Sequence, residues 1–142
     1  MNFKEYQKAY FSDPIPEPGF RFSGSFGVTL FFEEFDSAVK YYQQILGPPA
    51  YVEGKGTRGW PIGSGWLTLL QGKSGSPRNV EVTLQMETPE EAERLQRAFI
   101  KAGGEGSAPS NQLMYEPIRS CPVIDPFGTE ILIISPLIAR ED

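Results

Sequence analysis

From Val80 the chain alternates strictly. Val80, Val82, Leu84 and Met86 fall on one side, and Glu81, Thr83 and Gln85 on the other. A period of two over seven residues predicts a half-buried strand, extending from about Arg78 to Met86. The period then changes. Thr88-Pro89-Glu90-Glu91 joins a cap, a proline at the first helical position and a capping-box glutamate. Ala92, Leu95, Phe99 and Ala102 make the stripe of the helix that follows, and Gly103-Gly104 stops it. Glu105 to Ala108 reads as a short strand and Ser110 to Gln112 as a turn. Met114 to Ile124 reads as an extended segment. Pro117 and Pro122 within it predict an edge or bulged strand. Thr129 to Ser135 is a β-branched closing strand behind the turn Asp125-Pro126-Phe127-Gly128.

The first half carries the same order. Gly27 to Phe32 reads as a strand. A helix capped by Asp36 or Ser37 runs to Leu46, with Ala38, Tyr42, Ile45 and Leu46 on one face, and Gly47-Pro48-Pro49 ends it. Ala50 to Lys55, Thr57 to Ile62 and Trp66 to Gln71 read as three strands punctuated by glycines. The pattern β-α-β-β-β thus occurs twice, an internal duplication of structure rather than of sequence. The expected organisation is a domain over residues 25–136, with modules at about 25–72 and 78–136. An N-terminal extension occupies residues 1–24: a weak helical pattern (Phe3, Tyr6, Tyr10) and a proline-rich linker. Residues 137–142 form a tail.

Composition narrows the chemistry. The 142 residues include 13 Lys and Arg against 18 Asp and Glu, so the net charge is −5. With no basic cluster, nucleic acid is not an expected partner. One cysteine, Cys121, allows no internal disulfide. Neither a signal peptide nor a membrane-length apolar run is visible, and the expectation is a cytoplasmic protein. The sequence has no histidine. That excludes Ser-His-Asp and Cys-His chemistry and every His-based zinc site.

Three motifs together resemble the vicinal oxygen chelate superfamily, which includes glyoxalase I, bleomycin-resistance proteins and extradiol dioxygenases. They are Val28-Thr29-Leu30-Phe31, Tyr41-Tyr42-Gln43-Gln44-Ile45-Leu46-Gly47 and Asp125-Pro126-Phe127-Gly128. The resemblance implies an α+β fold: two paired β-α-β-β-β modules forming a cupped mixed sheet with helices outside, a small-molecule cleft inside, and a homodimer. Its metal-ligand positions fall at Gly27, Glu81 and Leu132, with a fourth near Thr68. Only Glu81 is a good ligand, so the implied protein works without a tightly held metal. A single carboxylate would hold a divalent ion only weakly.

On this reading Glu81 and Glu130 are the candidate acid–base residues, sharing the cup face with Thr83, Gln85 and Leu132. Thr29 and Phe31 belong to the same lining. Trp60 and Trp66 offer flat contact area or core packing. Arg58 and Arg119 could clamp an anion, and Tyr115 borders the cleft. The leading expectation is a binder of a small organic molecule. Metal-free bleomycin-resistance proteins, which sequester a cationic drug, are the implied precedent. The rivals are a lyase or isomerase using Glu81 as base, and a non-catalytic interaction module whose cleft is plugged by Trp60, Trp66 and Phe31.

Overall fold

The computed structural model describes residues 2–19, 26–73 and 80–138. In the first module β1 (Val28–Phe32) leads to α2 (Phe35–Leu46), then β2 (Tyr51–Glu53), β3 (Thr57–Ile62) and β4 (Gly65–Gln71). An N-terminal helix α1 (Phe3–Tyr10) precedes them. The strands form one sheet in the order β1-β4-β3-β2, with β1 and β4 parallel and the rest antiparallel. In the second module β5 (Glu81–Gln85) leads to α3 (Pro89–Lys101), then β6 (Glu105–Gly106), β7 (Ser110–Leu113), β8 (Pro117–Ile124) and β9 (Glu130–Pro136). Their sheet runs β5-β9-β8-β6, and β7 also pairs with β8. The Arg78 start expected for β5 lies outside the described residues.

Both modules are α+β with mixed sheets, and the duplication is visible in the pairing. Each module sets its first strand parallel to its last: Thr29 opposite Thr68 in one, Thr83 opposite Leu132 in the other. Each sheet turns one face to a single shared core. Phe32, Trp60, Leu67 and Leu69 from the first sheet meet Val82, Leu84, Ile131 and Ile133 from the second. Ala38, Tyr41 and Tyr42 of α2 and Ala92 and Phe99 of α3 lie in the same cluster. Among the described residues no strand pair joins the two sheets. No helix among them is long and apolar enough to cross a membrane.

Four local expectations need correction. Residues Ser110 to Gln112 are not a turn; they lie in β7, paired with Pro117–Ser120 of β8. All four β7 residues are exposed and mostly polar, so no alternation marked the strand. The extended segment begins at Pro117 rather than Met114 and is not an edge strand. β9 flanks it on one side, and β6 and β7 on the other. Pro122 is tolerated there because β7 pairs up to Ser120 and β6 resumes at Val123, leaving a gap opposite it. Its carbonyl is taken up by Gln96 Nε2 at 2.8 Å. Helix α2 starts at Phe35, and its N-cap Glu34 makes no side-chain cap bond. The capping box at α3 is half formed. Thr88 Oγ1 accepts from the Glu91 amide, while the Glu91 carboxylate pairs with Arg94 instead of returning to the cap.

Candidate functional site

Facing away from the shared core, each sheet has an open side. On the first sheet the register places Thr29 and Phe31 of β1 beside Thr68, Leu70 and Trp66 of β4, then Gly59 of β3 and Tyr51 of β2. Phe31, Tyr51 and Trp66 are 50%, 47% and 44% exposed. Tyr51 and Trp66 meet edge to face with ring centroids 6.5 Å apart. Gly59 lies beneath them. A Cβ there would stand 3.3 Å from both the Trp66 ring and Tyr51 Cβ, so the missing side chain lets the indole lie close to the sheet. The Tyr51 hydroxyl donates to Glu53 Oε1 at 2.6 Å, and the Glu53 carboxylate pushes the phenol's pKa up. Sequence reasoning missed Tyr51; the strand-pair register with Gly59 reveals it.

The second sheet offers carboxylates. Glu81 and Glu130 are direct partners in the parallel β5–β9 pair, so they share the open face, with Thr83 beside Leu132 on the next rung. Val82, Leu84, Ile131 and Ile133 face the core, as the alternation requires. Glu81 and Glu130 line a depression of about 340 Å³ with Glu105, Ser107, Pro122 and Ile124. Glu105 had no sequence signal beyond following a helix-ending glycine pair. Gln85 lines a separate hollow with Met86, Glu116 and Pro136.

Three expected ligand contacts lie elsewhere. Trp60 is in the core, where its indole donates to the Gly47 carbonyl at 2.8 Å. Arg58 shares its side of β3, donates to the Gly54 and Thr57 carbonyls, and sits 5.8 Å from the Phe35 ring centroid. Arg119 points to the helix side of β8. It bonds Asn111 and stands 3.6 Å from Glu93 of α3. Alternation assigns 58, 60 and 119 to the inner faces, and sequence alone did not fix that register for β3 and β8. Tyr115 is exposed in the β7–β8 turn.

The metal positions implied by the resemblance do not fit a metal. Gly27 and Leu132 bring no donor, and Thr68 brings only a hydroxyl. A Cβ on Gly27 would lie 3.1 Å from the Trp66 carbonyl oxygen, so a ligating side chain there would require the β4 backbone to move. Among the described residues no three His, Cys, Asp or Glu side chains gather into a metal-binding group.

Comparison with solved structures decides the fold. A glyoxalase/bleomycin resistance protein from Albidiferax ferrireducens superposes with a TM-score of 0.63 at 16% identity, over 77% of this chain and 95% of that one. The fold is that of the vicinal oxygen chelate superfamily. A fosfomycin resistance protein, FosX, from Listeria monocytogenes, solved with Mn(II) and 1S,2S-dihydroxypropylphosphonic acid, gives 0.65 at 19% identity over 82% and 92% of the two chains. An integron cassette protein from the Halifax Harbour sewage outfall metagenome gives 0.64 at 21% over 80% and 99%. No protein-family model and no curated protein sequence matches the chain.

Proposed function

We propose that this protein binds a planar, cationic organic molecule on the open faces of its sheets, without a tightly held metal. The observation that carries the reading is the Phe31–Tyr51–Trp66 surface. Three large aromatic side chains stand half exposed on one sheet face, with a glycine beneath the indole. Tyr51 and Trp66 touch, and Phe31 stands at the other end of the same face against Gly72. Exposed aromatic surface of this kind marks an interaction site. Stacking on Trp66 supplies attraction, and a cation gains further from the ring faces. Glu81 and Glu130 with Glu105 form the acidic half that favours positive charge.

The two sheets use their inner faces for one core, and a cup needs two open faces opposed. We therefore infer a homodimer in which the aromatic face of one chain meets the acidic face of its partner. Thr29, Thr83, Gln85 and Leu132 would line the space between.

Thermal-shift screening of the untagged protein tests this reading. Planar aromatic cations are expected to raise the melting temperature, and neutral or anionic isosteres are not. Trp66→Ala should abolish the shift, and Glu81→Gln should reduce it. A panel in which anions stabilise and cations do nothing would overturn the assignment.

A further inference from the structure

The aromatic face carries a carboxylate of its own. Tyr51 and Glu53 stand two residues apart in β2, so their side chains leave the same side of the strand. The register carries this across the sheet. Glu53 lies opposite Thr57, Thr57 opposite Leu70, and Leu70 beside Phe31. Glu53 therefore ends a row of the open face, next to the row that holds Tyr51, Gly59 and Thr68. Glu81, Glu105 and Glu130, by contrast, belong to the other sheet.

Glu53 is held in place. Its Oε1 accepts a 2.6 Å hydrogen bond from the Tyr51 hydroxyl, and the Tyr51 ring meets Trp66 edge to face. A bond to an ionised oxygen is the stronger kind, and here it ties the charge to the aromatic pair. That charge is not neutralised elsewhere. Among the described residues Glu53 enters no ion pair, and its Oε2 has no hydrogen-bond partner. Arg58, which follows Thr57 in β3, is turned to the inner side and donates to the Gly54 and Thr57 carbonyls instead.

We propose that Glu53, positioned by the Tyr51 hydroxyl, is the counter-charge for a cation stacked on the Tyr51–Trp66 pair. One sheet of one chain then recognises both the ring and the charge of an aromatic ammonium or amidinium. The inference rests on the aromatic-cation reading of this face and adds the group that reads the charge. The rings attract the flat part of the ligand, and Oε2 gives its positive end a directed contact at the rim.

Equilibrium dialysis of the full-length protein against N-methylquinolinium, a permanent planar cation, tests it. The measurement is made at about 0.01 M and about 1 M sodium chloride, where the Debye length is about 30 and about 3 Å. Glu53→Gln is expected to weaken binding roughly threefold to fivefold at low salt, and the difference from the parent should narrow at high salt. Tyr51→Phe keeps the ring and drops the positioning bond, so it should give a smaller loss with the same salt dependence. Both residues are exposed, and the melting temperature should hold in either variant. Cation binding that is lost in Trp66→Ala yet ignores Glu53→Gln would overturn this inference and leave the aromatic reading standing. So would a Glu53→Gln loss that is equal at both salt concentrations, since a change of shape is not screened. No binding of N-methylquinolinium to the unsubstituted protein would overturn both.

Discussion

Tyr42 on α2 donates a 2.6 Å hydrogen bond to Asp125 Oδ2, joining the first module's helix to the second module's last turn. Asp125 is buried, and its other oxygen accepts from the Phe127 and Thr129 amides at 2.9 and 2.8 Å. Phe127 then packs against Phe32 and Tyr41. Two motifs 83 residues apart thus form one device. The carboxylate shapes the turn with one oxygen and ties the modules together with the other. Tyr42→Phe leaves that carboxylate buried and one partner short. A loss of about 1.5–3 kcal/mol in denaturant-unfolding stability is expected. Asp125→Ala, which also frees two turn amides, should cost more.

The same contact sets a pH limit. Burial, and secondarily the Asp125 charge, raises the Tyr41 pKa to about 12, and the same two causes raise Tyr42 further. Raised tyrosine values favour the protonated, folded form. Their contribution is therefore intact below pH 10, the unfolded value, and declines as pH rises through the folded ones. Tyrosinate absorbance from these residues should appear together with loss of circular dichroism above pH 10. Complete tyrosine titration in a still-folded protein would contradict the buried pair.

Gly65 opens β4 against the strand entering from Phe26. A Cβ at that position would lie 1.6 Å from the Phe26 carbonyl oxygen. No rotamer change relieves a clash with backbone, so Gly65→Ala must part the two segments. A loss of about 2–3 kcal/mol is expected by thermal or denaturant unfolding. A variant as stable as the parent would mean that this approach is looser than described.

Cys121 is fully buried in the shared core. Burial, with a smaller push from Glu93, raises its pKa, which lowers the thiolate fraction further. Its reaction with a disulfide reagent should proceed only at the rate at which the protein opens, and become fast in denaturant. Rapid labelling of the native protein would contradict its place in the core.

Much of the fold was legible because patterning and punctuation agreed. The Val80–Met86 alternation, the Thr88-Pro89 start of α3 and the Gly47 and Gly103 stops each say locally what the packing requires. β7 was not legible, since Ser110–Leu113 buries nothing and exists only through its bonds to β8. The acidic pair was legible because β5 alternates cleanly. The sides of Arg58, Trp60 and Arg119 were not, because β3 carries glycine and proline, and β8 proline, in place of a strict two-residue period. Tyr6 gave only a weak helical signal; its burial depends on a contact 108 residues away.

The most direct test of the central claim is tryptophan fluorescence during titration with a planar aromatic cation. Trp66 is half exposed on the open face and Trp60 is buried, so the two report separately. The account predicts saturable quenching that disappears in Trp66→Phe while Trp60 emission is unchanged. Saturable binding with undiminished quenching in Trp66→Phe, or no quenching by any aromatic cation, would contradict it.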